Sequence, residues 1–210
     1  MKGAIIDMDG TLVDSMKFWS KKLLKKINEA NIDYPENIVS ILTPMGVKKA
    51  CIYIHDELGH PTSSDDLYTQ IEAEMYEEYQ NNIGTKPFVM EFLEKLKSQG
   101  VKMCILSAST GTMIEASAKR CGFGRYMEFI QPCENLGKPK SDPETYLIIA
   151  EKLGVAIEDI TVYDDHLDAL QSAKKAGATV CGVHDMASED SKEEIIKLCD
   201  KYIYSFEELL

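Results

Sequence analysis

The residues of this chain that could do chemistry fall in short groups, far apart in sequence. Asp7 and Asp9 stand two residues apart in Ala4-Ile5-Ile6-Asp7-Met8-Asp9-Gly10-Thr11. Ser107-Ala108-Ser109 follows the apolar run Met103-Cys104-Ile105-Leu106. Lys138-Pro139-Lys140-Ser141 precedes Asp142-Pro143, and Asp164-Asp165, with Asp168 a little beyond, follows Ile160-Thr161-Val162-Tyr163. Two closely spaced carboxylates at the mouth of a hydrophobic run suit a site that binds a hard cation and handles a phosphate. Gly10 lets the backbone turn so that both acids face one small site.

Such groups meet only if the elements bearing them share an edge. Short β-rich runs are predicted at Gly3 to Asp7, Val101 to Ser107, Glu128 to Gln131, Ile160 to Asp164 and Ala178 to Val183. Helical stripes lie between them. Val89, Phe92, Leu93 and Leu96 are spaced i, i+3, i+4, i+7 and stop at Gly100. Tyr146, Ile149, Ala150 and Leu153 repeat that spacing and stop at Gly154, with Asp142-Pro143 as N-cap and first turn. Alternating strands and helices imply an α/β fold, a Rossmann-like parallel sheet covered on both faces. Ligands in such sheets bind outside the carboxyl ends of the strands, where every group above is placed.

Residues 15–86 break this rhythm and read as an inserted four-helix domain, roughly Ser15–Ala30, Glu36–Leu42, Val47–Leu58 and Ser63–Asn82. Tyr34-Pro35, Thr43-Pro44 and Gly59-His60-Pro61 separate the helices. The α/β core is then 1–14 and 87–210, and the connections near Val13–Ser15 and Ile83–Pro87 form a hinge.

The chain resembles the haloacid dehalogenase superfamily of aspartate-nucleophile phosphohydrolases. Within it, the chain is similar to the helical-cap group that includes β-phosphoglucomutase and phosphoglycolate phosphatase. The motif Asp7-Met8-Asp9-Gly10-Thr11-Leu12-Val13-Asp14-Ser15 is the most specific element. The resemblance covers essentially the whole chain. It implies that Asp7 is the nucleophile and Asp9 the general acid/base, a role that needs a proton held at neutral pH. It implies Mg²⁺ held by Asp7, Asp9 (through its carbonyl) and Asp164, with Asp165 and Asp168 as supporting acids. It implies a phosphate bound by Gly10, Thr11, Ser107, Ala108 and a lysine. Anchoring the lysine pattern on Pro143 and Tyr146 selects Lys140, and anchoring it on Lys138-Pro139 selects Lys138. Lys140 is preferred because it is closer to the helix start. Tyr163, where the family commonly has glycine or glutamate, is expected to narrow the site.

The implied reaction is hydrolysis of a small phosphorylated metabolite. The nearest rival is a phosphomutase. The chain's arginines are Arg120 and Arg125, both outside the insert, so a second phosphate would have to meet lysines such as Lys48 and Lys49. Trp19 is a further candidate for substrate contact, though packing is its commoner role. A phosphorylatable receiver-type domain is the rival from another class. Its adjacent acids follow the first strand and its acceptor comes later, the reverse of the order here.

Bulk composition limits the partners. The 210 residues carry a net charge of -12, so neither nucleic acid nor an anionic membrane is expected as a partner. No run approaches the ~20 apolar residues of a membrane span. The 6 cysteines form no CxxC pair and read as reduced thiols of a cytoplasmic protein. A small-molecule phosphate ester is the expected ligand, and a monomer or weak homodimer the expected assembly.

Overall fold

The structure is a computed structural model that describes residues 1–42 and 45–210, so the Thr43-Pro44 break lies outside the described residues. The chain divides into two compact units, Met1–Asp14 with Gly84–Leu210, and Ser15–Ile83.

The larger unit is built on a six-stranded, wholly parallel sheet of order β3-β2-β1-β4-β5-β6. Its strands are β1 (Gly3–Ile6), β2 (Lys102–Ser107), β3 (Phe129–Pro132), β4 (Ile160–Asp164), β5 (Thr179–Val183) and β6 (Lys201–Ile203). Every residue of β1 is buried, as expected of a central strand covered on both faces. Ile6 pairs with Ile105 on one side and Tyr163 on the other. The residues that follow, Asp7 and Asp164, therefore leave adjacent strands at the same level. β6 escapes the sequence pattern. It is only three residues long and has charged or polar neighbours, too short for a period-2 signal to rise above a loop.

The predicted stripes bury as their spacing requires. Helix Val89–Ser98 buries Val89, Phe92, Leu93 and Leu96. Helix Pro143–Leu153 buries Tyr146, Ile149, Ala150 and Leu153, begins with Asp142 accepting from the Glu144 N–H, and ends on left-handed Gly154. Phe92, Tyr163 and Phe206 form one aromatic cluster of this unit. The Phe92 ring centroid lies 5.1 Å from that of Tyr163 and 4.9 Å from that of Phe206. Tyr163 is thus spent on core packing, and the expectation that it narrows the site does not hold. It precedes Asp164 on the strand, and alternation sends its side chain to the opposite face.

The smaller unit contains, among the described residues, helices Met16–Glu29, Ile38–Leu42, Val47–Asp56 and Ser64–Asn81. The last packs on the first and third. Its buried positions Leu67, Ile71, Met75 and Tyr79 recur every four residues. Gly84–Lys86, expected with the insert, packs with the core instead. Val13 and Thr85 form an antiparallel bridge, and the Lys86 N–H donates to the Leu12 carbonyl at 2.9 Å. All six cysteines are free, and Cys51, Cys104 and Cys181 are buried. Among the described residues no helix is long and apolar enough to cross a membrane.

Candidate active site

The site grows from the loop after β1. The Asp7 N–H still donates to the Tyr163 carbonyl at 2.9 Å, so Asp7 is the last residue held by the sheet. The chain then folds back: the Leu12 and Val13 N–H groups donate to the Met8 carbonyl at 2.9 and 3.0 Å. Gly10 sits at φ +77°, in the left-handed region. A Cβ there would lie 2.6 Å from Asp165 Oδ2, so glycine is required both by the turn and by the acid packed against it. Gly10→Ala is expected to destabilise the protein by about 1–3 kcal/mol, through strain and overpacking, and to displace Asp165. Denaturant melts with and without Mg²⁺ would show both effects, as a lower midpoint and a smaller gain on adding the ion.

Asp7, Asp164 and Asp165 are buried, and one carboxylate oxygen from each lies within 4.8 Å of the others. Lys140 donates to Asp7 Oδ1 and, at 2.8 Å, to Asp164 Oδ2. Lys138 instead pairs with Asp142 at 3.0 Å and Glu144 at 2.7 Å, at the start of the following helix. Of the two lysines considered, Lys140 is the one within the acid cluster. Asp164 Oδ1 also accepts from the His166 N–H at 2.9 Å. Asp165 accepts from Thr11 Oγ1 at 3.2 Å and Ser188 Oγ at 3.3 Å.

The strand end of β2 supplies hydroxyls. Ser107, buried, accepts from the Ser109 N–H at 3.1 Å, which leaves its own hydroxyl proton to donate. Ser109 Oγ donates to Asp9 Oδ2 at 2.6 Å. Ala108 is exposed between them, and helix Gly111–Cys121 starts just beyond, a favourable end for an anion.

Not every predicted residue joins the cluster. Asp168 is exposed in the first turn of helix Leu167–Ala176, where the helix dipole accounts for an acid. Asp165, read from sequence as a supporting acid, stands among the three clustered carboxylates, whereas the Asp9 side chain does not. Trp19 is buried within the helical unit and its indole N–H donates to Tyr79 Oη at 3.1 Å. Lys48 and Lys49 are exposed in the first turn of helix Val47–Asp56, with the Lys48 ammonium 6.0 Å from the Tyr68 ring centroid. Sequence reasoning gave no role to Ser109 or Ser188. Ser109 was open to discovery as the second hydroxyl of the β2 strand end, but Ser188 lies in no local pattern.

Burial sets the electrostatics. It pushes the Asp7 carboxyl up to about 7, assisted by Asp164 and Asp9 and opposed by the Lys140 ammonium. It pushes Asp165 well above the usual carboxylate range, with Asp7 and Asp164 adding to the effect. The Lys140 ammonium is held well above its ordinary value by Asp164 and Asp7 despite its burial. Among the described residues, one lysine thus faces three crowded carboxylates. An all-oxygen donor set with surplus negative charge fits a hard divalent cation such as Mg²⁺. The stability consequence has a definite sign. Both acids bind protons more tightly folded than unfolded, so the metal-free contribution of Asp7 to stability is lost as pH rises from about 4 through about 7, and that of Asp165 changes in the same direction. Thermal midpoints are expected to drop over that window without Mg²⁺ and to recover with it at the upper end.

A family model, haloacid dehalogenase-like hydrolase, matches residues 4–183. The chain belongs to that family of enzymes, as its motifs imply. It is 22% identical over 177 residues to a phosphorylated carbohydrates phosphatase of Thermotoga maritima, covering 84% of this chain and 82% of that one. It is 21% identical over 204 residues to a phosphoglycolate phosphatase of Shigella dysenteriae, covering 87% and 81%. The crystal structure of CbbY from Rhodobacter sphaeroides in complex with phosphate shares the fold, with a TM-score of 0.82 at 18% identity over 100% and 96% of the two chains.

Proposed function

We propose that the protein is a Mg²⁺-dependent phosphatase that hydrolyses a small phosphorylated metabolite through an aspartyl-phosphate on Asp7. The observation that carries this reading is the cluster of Asp7, Asp164, Asp165 and Lys140 at adjacent carboxyl ends of a parallel sheet. Asp7, Asp164 and the Asp9 carbonyl would hold the cation, with Asp165 beside them. When bound, the cation supplies positive charge that offsets the phosphate's and draws down the Asp7 carboxyl.

An Asp7 oxygen attacks phosphorus as the bond to the leaving oxygen breaks, and Asp9 delivers its proton to that oxygen. Asp9, now a carboxylate, takes a proton from water. The water oxygen attacks phosphorus and the acyl-phosphate bond breaks, returning Asp7 and inorganic phosphate. Ser107 and the N–H groups around Ala108 hold the phosphoryl oxygens, and Lys140 offsets their charge. The names of the relatives support phosphate esters as the substrate class. The six free cysteines, three of them buried, support a setting that keeps thiols reduced, as the cytoplasm does.

The test is phosphate release from a panel of phosphometabolites and aryl phosphates, with Mg²⁺ and with a chelator. Turnover that survives chelation, or no release from any ester, would contradict the reading. Isomerisation of a hexose 1-phosphate without phosphate release would favour a mutase.

A further inference from the structure

We propose that Ser109 is a positioning residue for Asp9, fixing which carboxyl oxygen carries the proton exchanged in catalysis. The inference rests on the reading of Asp9 as the general acid/base. Ser109 Oγ donates to Asp9 Oδ2 at 2.6 Å, across 100 positions of sequence. That distance lies within the ordinary O–H···O range.

The hydroxyl is itself held. The Ser109 N–H donates to Ser107 Oγ at 3.1 Å, and Ser107 is the last residue of β2, paired with Pro132 on β3. The Ser109 backbone is therefore tied to the sheet. The terminal torsion of an aspartate is broad and two-fold, so a donor bond to one oxygen distinguishes it from the other. A donor fixed on Oδ2 makes that oxygen the acceptor and places the acid proton on Oδ1. In the first step Oδ1 gives this proton to the departing oxygen. In the second, Oδ1 takes a proton from water while Oδ2 keeps the serine bond. Ser109 gains and loses nothing over the cycle, and its effect is purely one of preorganisation.

A general acid matters only when the leaving group needs a proton. The experiment therefore compares kcat/KM, which reads transfer to Asp7, for 4-nitrophenyl phosphate and phenyl phosphate with Mg²⁺. The proteins are the wild type, Ser109→Ala, Ser109→Thr and Asp9→Asn. Ser109→Ala is expected to lose about tenfold more with phenyl phosphate than with 4-nitrophenyl phosphate, a fraction of the full general-acid contribution. Ser109→Thr, which keeps the hydroxyl, is expected to restore the wild-type ratio. A merely structural bond would lower both substrates alike. If Asp9→Asn widens the ratio and Ser109→Ala does not, the role of Ser109 is overturned while that of Asp9 stands. If Asp9→Asn leaves the ratio unchanged, the reading of Asp9 fails and this inference fails with it.

Discussion

Asp7→Asn is expected to reduce Mg²⁺-dependent phosphate release by about 10⁴-fold or more while leaving a folded protein. Losing a covalent nucleophile removes the reaction path itself, and what survives is the weak effect of binding and charge stabilisation. The substitution is nearly isosteric, which matters at a residue buried to 5% exposure against Lys140. It also removes one of the clustered carboxylates, so the variant should melt with less dependence on pH between about 4 and about 7. Steady-state assays and thermal melts on the same preparation check both. Activity near wild type with Asp7→Asn would exclude Asp7 as the attacking group.

Lys140→Ala is expected to cost about 10²–10³-fold in turnover and about 3–5 kcal/mol in stability. Both losses have one source. The lysine touches Asp7 and Asp164, and without it Asp7, Asp164 and Asp165 face one another uncompensated in a buried space. Mg²⁺ should recover part of the stability and little of the activity, because a cation among the acids does not replace a donor placed for the phosphoryl oxygens. Lys138→Ala is the control. Its partners Asp142 and Glu144 are about a third and three-fifths exposed, and ion pairs of that kind are worth ~0–1 kcal/mol. Its turnover should stay within about threefold of wild type. The reverse outcome, a silent Lys140→Ala and an inactive Lys138→Ala, would reassign the lysine.

The strand-end groups were legible because a parallel sheet gathers its carboxyl ends, so linear order alone brought Asp7, Ser107 and Asp164 together. Lys140 was legible through the helix that follows it: Asp142 and Pro143 mark a helix start, and the loop before a helix start points at that edge. Asp165 was undervalued because strand alternation says nothing past the strand end. What turns it inward is the missing Cβ of Gly10 together with hydroxyls from Thr11 and Ser188, contacts spanning much of the chain. Asp168 was overvalued because an acid in a first helical turn and a supporting acid look alike in sequence. Lys86 gave no signal at all. It bonds the His184 carbonyl at 2.7 Å and Asp185 at 2.9 Å, and Asp185 caps the turn that carries Ser188. Such a bond across the fold has no local pattern. Trp19 shows the opposite limit, since an indole at an entrance suggests a ligand until its N–H is found on Tyr79.

The most direct test uses the division of labour between Asp7 and Asp9. An activated aryl phosphate needs no proton to leave, so Asp9→Asn should still transfer phosphate to Asp7 but fail to activate the water that removes it. The variant is incubated with 4-nitrophenyl phosphate and Mg²⁺, quenched in acid, reduced with borohydride and digested for mass spectrometry. An acyl phosphate on Asp7 is expected, read as homoserine at position 7. Release of 4-nitrophenolate with position 7 unmodified, or with the label on another carboxylate, would contradict the account.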